Sequence, residues 1–268
     1  MTIIDSIIKI IPGSIIEKIH YSRFQGIARK LYNLAQNRGI RTYTIFDKIL
    51  IEVDPSALAE RAIPFNSYET RVTKKLLERI KEGGIVFEVG AWIGYFTVLA
   101  ANKVGNSGKV IAIEPSKENI QRIKKNIQLN NFTNVTVIES GVGEKSYNTS
   151  IKKEGPSSST FKVSSDGDNS VKIEKIDSIM DNLKISKVDF LVMDIEGYEY
   201  NALKGMSNSL SKQLIENMII EVHPELLIEF GSSENEVIQL LKENKYDVSI
   251  MDKEESITQY HILAEPVK

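Results

Sequence analysis

A histidine and several carboxylates follow short apolar runs of the chain, and such run ends are typical places for a ligand site. Asp194 and Glu196 lie in the string Asp-Ile-Glu-Gly-Tyr-Glu after one run, and His223 ends another, Ile-Ile-Glu-Val-His. Carboxylates can orient a hydroxyl group and accept its proton, and the unperturbed pKa of histidine suits a general base near neutrality. These three residues are therefore the predicted catalytic residues, with Glu196 and His223 as alternative proton acceptors.

The neighbouring titratable residues have simpler interpretations. Glu199 is predicted to stand on the first turn of a helix, where its charge favours the helix dipole. His20 and His261 are predicted to be structural or exposed. The O and N donors of the three catalytic candidates suit a divalent metal, but no further ligand pattern supports one, so no metal site is predicted.

A second constellation is the glycine loop within Ile85–Tyr95, with the pattern Glu88-x-Gly90-x-x-x-Gly94. An apolar run precedes it and a helix-like segment follows, so a ligand can lie against main-chain N–H groups at a helix N-terminus. The dinucleotide fingerprint would need its second glycine at Trp92, whose bulk would block a pyrophosphate. The loop therefore predicts a ligand without a pyrophosphate and disfavours a nicotinamide dehydrogenase.

Two further run ends carry polar side chains. Glu114 follows Val-Ile-Ala-Ile, and a carboxylate at this place can accept hydrogen bonds from ribose hydroxyls. Glu139 or Ser140, after the next run, is predicted to lie near an adenine edge.

Strands and helices that alternate along the chain would position these sites, and the sequence shows this alternation from Ile85 onward. The alternation predicts a parallel sheet with helices on both faces. The predicted strands are the run from Ile85, Lys109–Glu114, Asn134–Glu139, Val188–Asp194 and Asn217–Val222, with a closing hairpin of Tyr246–Met251 and Tyr260–Ala264. The predicted helices are Ser67–Lys81, Phe96–Val104, Ser116–Asn130, Tyr198–Leu210 and Glu234–Glu243.

The alternation of predicted strands and helices is interrupted between residues 143 and 176, where Gly, Pro, Ser and Asp cluster. Short β-rich pieces at 147–151, 160–163 and 171–176 predict inserted strands and loops over the active site. We therefore predict one α/β domain over residues 67–268, preceded at residues 1–66 by a helical arm with short strands near Thr42–Val53.

Composition narrows the possible functions. The chain of 268 residues has no cysteine, which excludes disulfides, thiolate metal sites and a cysteine nucleophile. Its net charge of −2 argues against a surface devoted to nucleic acid.

Basic charge is nevertheless concentrated in the first residues of the chain. Met1–Lys48 holds eight Lys and Arg against three Asp and Glu, and apolar residues recur at helical spacing in two stretches up to Arg38. These helices are predicted to pack on the main domain or on another subunit, or alternatively to touch an anionic membrane surface. No signal peptide or membrane span is predicted, so we expect a cytoplasmic protein, with peripheral membrane contact as the alternative.

Four strings together resemble the FkbM family of methyltransferases: Phe-Glu-Val-Gly-Ala-Trp-Ile-Gly-Tyr-Phe-Thr, Ile-Ala-Ile-Glu-Pro, Val-Asp-Phe-Leu-Val-Met-Asp-Ile-Glu-Gly-Tyr-Glu and Ile-Glu-Val-His. Their order and spacing match over roughly Ser67–His223. The resemblance implies a class I Rossmann-like fold with a mostly parallel seven-stranded sheet. It also implies S-adenosylmethionine as cofactor and O-methylation of a hydroxyl on a sugar, a glycan or another small metabolite.

On this resemblance the cofactor lies against the glycine loop and the strand ends. The predicted cofactor-binding residues are Glu69, Glu88, Gly90, Ala91, Gly94, Tyr95, Glu114, Pro115, Glu139, Ser140 and Asp194.

Two alternatives stay open. Lys124–Asn130 also resembles transfer-RNA methyltransferases, although the loop Asp194–Gly197 lacks the proline-containing amide motif of those enzymes and would repel phosphate. The alternative from another class is a non-catalytic cofactor-binding scaffold that acts through the N-terminal arm. The expected partner is a small-molecule or glycan acceptor rather than a nucleic acid.

Overall fold

The computed structural model describes residues 39–153, 161–164, 169–251 and 259–267, apart from residues 56 and 58. These residues form two compact units, one up to Lys74 and one from Lys75. The division falls within the helix Thr70–Arg79, whereas the sequence predicts the domain boundary between residues 66 and 67. The predicted helices of the N-terminal arm lie outside the described residues.

The first unit contains the short strands expected near its end. Strand β1 (Arg41–Ile45) pairs antiparallel with β2 (Ile49–Val53), and a 3-10 helix follows at Ala59–Phe65. Alternate residues of β2 are buried, namely Ile49, Ile51 and Val53, so one face of this hairpin is apolar and packed. Helix α1 (Thr70–Arg79) runs across the boundary between the units.

The second unit alternates strands and helices as the sequence predicts. In chain order its strands are β3 (Ile85–Val89), β4 (Lys109–Ile113), β5 (Val135–Ile138), β6 (Ser140–Val142), β7 (Tyr147–Lys153), β8 (Phe161–Ser164), β9 (Asn169–Glu174), β10 (Phe190–Met193), β11 (Met218–Val222), β12 (Tyr246–Ile250) and β13 (Tyr260–Pro266). Its helices are α2 (Tyr95–Val104), α3 (Lys117–Leu129), α4 (Ile176–Leu183), α5 (Glu199–Lys204), α6 (Ser207–Ser211), α7 (Pro224–Glu229) and α8 (Glu234–Glu243).

Seven strands form the central sheet in the order β12-β13-β11-β10-β3-β4-β5. The five strands from β11 to β5 are parallel, and β13 pairs antiparallel with both β11 and β12. Nearly all side chains of β3, β4, β10 and β11 are buried, as expected for strands covered on both faces. The predicted Rossmann-like α/β fold, with its closing antiparallel hairpin, is confirmed.

The segment predicted as an insertion forms a second sheet in the order β6-β9-β7-β8. Strand β7 pairs antiparallel with β8 and β9, whereas β6 and β9 are parallel. Val171 and Ile173 of β9 form a small buried cluster. The inserted strands therefore pair mainly with one another rather than extending the central sheet.

The helices differ from the prediction in two respects. The helix predicted over Tyr198–Leu210 is two helices, α5 and α6, which are separated at Gly205. A Cβ atom at Gly205 would lie 2.2 Å from the carbonyl oxygen of Gly143. The backbone at Gly143 therefore packs so closely against Gly205 that only glycine fits there. Helices α4 and α7 were not predicted. No helix in the described part of the chain is long and apolar enough to cross a membrane.

Candidate active site

The glycine loop lies between the ends of neighbouring strands. Gly90 follows β3 with φ of 84°, and a Cβ atom there would lie 1.9 Å from the carbonyl oxygen of Asp194 after β10. The amide groups of Gly90 and Ala91 both donate to the carbonyl oxygen of Ile113, the last residue of β4, at 3.0 Å. Glycine is needed at position 90 because the loop touches the adjacent backbone and has a positive φ.

Glu114 fixes the same loop from the end of β4. Its Oε2 accepts a hydrogen bond from the amide of Trp92 at 2.8 Å. Its Oε1 accepts from the amide of Ser116 at 2.9 Å and from Asn119 Nδ2 at 3.2 Å. Trp92 has φ of 48°, so its main chain turns toward Glu114 and contributes to the loop. Burial raises the pKa of Glu114 to about 7, although the amide hydrogen bonds favour its charged form.

Glu88 lies deeper than Glu114, within β3. Its side chain is buried and accepts a hydrogen bond from the Thr97 hydroxyl on α2. Burial raises the pKa of Glu88 to about 8, and the hydrogen bonds from Thr97 oppose that shift only in part. Glu88 therefore ties the strand before the glycine loop to the helix after it.

The acidic loop after β10 brings the predicted catalytic residues together. His223 Nε2 lies 3.8 Å from Asp194 Oδ1 and 3.6 Å from Glu196 Oε2. The adjacency of β10 and β11 causes this meeting, because parallel strands end at the same edge of the sheet. Gly197 completes the loop with φ of 94°, and a Cβ atom there would lie 2.5 Å from Cβ of Leu226 on α7.

Glu199 holds the other side of the His223 ring. The Glu199 side chain is fully buried, and its Oε1 lies 3.0 Å from His223 Nδ1. The same oxygen accepts a hydrogen bond from the amide of Gly197 at 2.9 Å. Glu199 lies on the first turn of α5 as predicted, but its partnership with His223 was not foreseen.

Charge is concentrated in this cluster. Burial raises the pKa of Asp194 to about 6, the charge of Glu196 adds to that shift, and the charge of His223 opposes it. Burial disfavours the charged form of His223, but its hydrogen bond to Glu199 and the charges of Asp194, Glu199 and Glu196 raise its pKa above the ordinary value. The site therefore favours a positively charged group among its carboxylates.

Three polar atoms at this edge are buried and lack a hydrogen-bond partner among the described residues, namely Ser140 Oγ, Asp194 Oδ1 and Glu199 Oε2. Ser140 is fully buried where β6 begins, just after β5. Glu139 beside it is exposed and pairs with Lys124 at 2.6 Å. Of the two residues predicted near an adenine edge, Ser140 is thus the one whose oxygen remains unpaired.

Two other predicted cofactor-binding residues, Ala91 and Tyr95, are buried. Ala91 is buried in a small cluster with Ala112 and Ile123. The Tyr95 ring is buried edge-on to Phe96, with ring centroids 5.1 Å apart.

Three other residues that were predicted to bind the cofactor are Gly94, Pro115 and Glu69. Gly94 precedes α2 with φ of 82°. Pro115, after Glu114, is half-buried. Glu69 belongs to the first unit and precedes α1 with φ of 42°.

The chain has two further histidines, His20 and His261. His261 is buried, and its Nε2 lies 3.7 Å from Glu221 Oε2 on β11, in line with its predicted structural role. His20 lies outside the described residues.

The hydroxyl of Tyr147 on β7 lies 3.0 Å from the hydroxyl of Tyr198 beside the acidic loop. This contact connects the inserted sheet to the active-site edge.

Known proteins similar to this chain are methyltransferases. The family model for the methyltransferase FkbM domain matches residues 88–248. The hexuronic acid methyltransferase AglP of Haloferax volcanii is 30% identical over 186 residues, which cover 68% of this chain and 71% of AglP.

A solved structure with a TM-score above 0.5 shares this fold. A protein assigned as an rRNA methylase from Clostridium thermocellum is 16% identical with a TM-score of 0.51, over 74% of this chain and 95% of that one. The methyltransferase FkbM from Methylobacillus flagellatus is 20% identical with a TM-score of 0.47, over 70% of this chain and 44% of that one.

Proposed function

This chain belongs to the FkbM family of methyltransferases, with S-adenosylmethionine as its cofactor, and we propose that it methylates an oxygen of a sugar, a glycan or another small metabolite. The observation that carries the proposal is the meeting of Asp194, Glu196 and His223 beside the glycine loop. AglP, which is named for a hexuronic acid, supports a sugar-derived acceptor.

The strand-end residues fit the cofactor. Glu114 has four acceptor lone pairs on its carboxylate and accepts three hydrogen bonds, so it retains capacity for a ribose hydroxyl. Buried Ser140 Oγ and Asp194 Oδ1 make no hydrogen bond within the described part of the chain, and a bound polar ligand would give them partners. We therefore assign the ribose to Glu114 and the adenine edge to Ser140.

The chemistry required of the protein is modest. S-adenosylmethionine supplies a methyl group already activated by its sulfonium charge. The protein must align the acceptor oxygen and receive its proton. In our proposal Asp194 orients the acceptor, and the cluster of Asp194, Glu196 and His223 receives the proton. The carboxylates also favour the positive sulfonium over an anionic ligand.

The same charge pattern bears on the RNA alternative. Asp194 and Glu196 place carboxylates where an RNA acceptor would bring its phosphates, and their charges would repel them. The likeness to the rRNA methylase concerns the fold alone. We therefore favour a sugar or small metabolite as acceptor.

The test is methyl transfer by the full chain from S-adenosylmethionine with a trideuterated methyl group. The acceptors are a panel of neutral glycans, uronic acids and transfer RNA, and mass spectrometry detects the labelled product. We expect label on a glycan or uronic acid, with loss of product in Asp194→Asn and full activity in Glu243→Gln, a control on α8. Label on transfer RNA alone would overturn the acceptor class. Tight cofactor binding without transfer to any acceptor would favour the scaffold alternative.

A further inference from the structure

We propose that the active-site edge contains a divalent-cation site formed by Asp194 Oδ1, Glu196 Oε2 and His223 Nε2. The three ligand atoms all lie within 4.8 Å of one another. Donors that are each about 2.1 Å from a shared cation stand about 3 to 3.5 Å apart, so shifts of a few tenths of an ångström to about 1 Å would complete the site.

The His223 ring provides an observation independent of the acidic cluster. Its side chain is only 5% exposed, and its Nε2 faces the cluster from beyond hydrogen-bond distance of both carboxylates, at 3.8 and 3.6 Å. Asp194 Oδ1 is also buried and has no hydrogen-bond partner among the residues described here. A buried ring nitrogen and a buried carboxylate oxygen thus face one small space.

The arrangement behind the ring is that of a metal ligand. Histidines that bind metals usually give their other ring N–H to a carboxylate, which fixes the tautomer and orients the lone pair. Glu199 stands in this position, with Oε1 3.0 Å from His223 Nδ1. The amide of Gly197 donates to the same oxygen at 2.9 Å and holds Glu199 in place. Glu199 therefore presents His223 Nε2 to the space between Asp194 and Glu196.

The donor set indicates the class of ion. One imidazole nitrogen with two carboxylates suits Mn²⁺, Fe²⁺ or Zn²⁺, whereas Ca²⁺ and Mg²⁺ prefer oxygen donors alone. Three protein ligands leave coordination positions for an acceptor or for water.

The inferred cation site rests on the proposed function, and it would allow the enzyme to accept an anionic sugar. A uronic acid or another anionic sugar would meet like charge at Asp194 and Glu196, and a divalent cation would offset that charge. A cation also lowers the pKa of an oxygen acid bound to it, so a hydroxyl proton can leave more readily. The proton would pass to solvent at the open side of the site, where the Glu196 side chain is 35% exposed.

The experiment is calorimetric titration of MnCl₂ into the chelator-treated full chain without S-adenosylmethionine. We expect one saturable site, at least tenfold weaker in Asp194→Asn and in His223→Gln. Glu243→Gln removes one negative charge on α8 and should leave Mn²⁺ affinity unchanged. Circular dichroism checks folding, and Glu196→Gln, a loop variant, replaces either mutant that fails to fold. Electron spin echo spectra of bound Mn²⁺ should show nitrogen coupling that is lost in His223→Gln.

Absence of saturable Mn²⁺ binding, or equal binding by all the variants, would overturn the cation site. Methyl transfer that is unchanged in EDTA would also overturn it and would leave the proposed methyltransferase activity intact. Conversely, Mn²⁺ binding with the expected variant pattern, but no transfer to any acceptor in the panel, would support the site and count against the proposed acceptors.

Discussion

Glu199 Oε1 lies 3.0 Å from His223 Nδ1, and both side chains are buried. The pair joins the start of α5 to the end of β11, so the orientation of the His223 ring depends on a residue that does not face the acceptor. A carboxylate that orients a ligand histidine typically contributes about 10- to 100-fold to metal affinity.

The first prediction follows from this pair. Glu199→Gln keeps an acceptor for the Nδ1–H group but removes the charge, so we expect Mn²⁺ affinity to fall about tenfold. Glu199→Ala removes the hydrogen bond as well and should approach about a hundredfold loss. Calorimetry with MnCl₂ measures both values, and S-adenosylmethionine affinity serves as the internal control because it should change little. Equal Mn²⁺ affinity in wild type and both variants would show that Glu199 does not orient the ring.

The second prediction concerns the glycine loop. Gly90→Ala introduces a Cβ atom 1.9 Å from the carbonyl oxygen of Asp194 at φ of 84°. The positive φ alone costs about 1 to 2 kcal/mol, and the backbone clash adds to it. We expect a lower melting temperature and loss of S-adenosylmethionine binding. Gly231→Ala is the matched control, because Gly231 has φ of 74° and no atom within 4 Å of the added Cβ. If the two variants have the same melting temperature and the same affinity for S-adenosylmethionine, the close contact with Asp194 contributes neither to stability nor to cofactor binding.

The third prediction is a pH dependence of stability. Burial raises the pKa of Glu88 from an ordinary 4.5 to about 8. Between these pH values the unfolded chain has lost a proton that the folded chain retains, so rising pH favours unfolding. The contribution of Glu88 is fully present below the lower value and is lost as pH rises through the upper one.

Glu88→Gln is neutral at every pH and can still accept a hydrogen bond from Thr97. The wild-type free energy of unfolding should therefore decline relative to that of the variant, by up to about 1.4 kcal/mol per pH unit. Urea unfolding of both proteins at several pH values between 4.5 and 8 measures this difference. Parallel stability curves would contradict a protonated Glu88 in the folded protein.

The fourth prediction distinguishes charge from shape at Glu114. Both of its carboxylate oxygens accept from N–H groups, including the amides of Trp92 and Ser116. In Glu114→Gln the NH₂ group must face one of these donors whichever way the amide is turned. An unsatisfied buried donor costs about 1 to 3 kcal/mol, so we expect a loss of this size in unfolding free energy and weaker cofactor binding. Glu243→Gln controls for the substitution itself, and a Glu114→Gln protein of unchanged stability would count against the acceptor role.

Much of this site could be predicted because strand ends are readable from sequence. Apolar runs that stop at Glu114, Asp194 and His223 place these residues at one edge of a parallel sheet, and the strand order then sets β10 beside β11. The pairing of Glu199 with His223 could not be read in this way. It depends on the start angle of α5 and on the positive φ of Gly197, which no periodicity encodes.

Trp92 shows a second limit of sequence reasoning. Its side chain is a sound argument against a pyrophosphate at the loop, but its structural contribution comes from the main chain. Trp92 takes φ of 48° and donates its amide to Glu114. Similarly, the break between α5 and α6 follows from the approach of Gly205 to the backbone at Gly143, a tertiary contact distant in sequence.

The last prediction tests the link between the inserted sheet and the acceptor side of the site. The hydroxyl groups of Tyr147 and Tyr198 lie 3.0 Å apart, and the Tyr198 ring also packs edge-on against Phe230. Tyr147→Phe and Tyr198→Phe each remove this hydrogen bond while keeping the rings, so each should cost about 1 kcal/mol in acceptor binding.

We expect a rise of about fivefold in KM for the acceptor in either single variant, with unchanged affinity for S-adenosylmethionine. Because the two substitutions break one shared hydrogen bond, the double variant should resemble each single variant rather than their product. Tyr200→Phe on the neighbouring helix controls for loss of a tyrosine hydroxyl. Additive effects of the two substitutions on acceptor KM would show that the hydroxyls act separately, and that the inserted sheet is not coupled to the site through this contact.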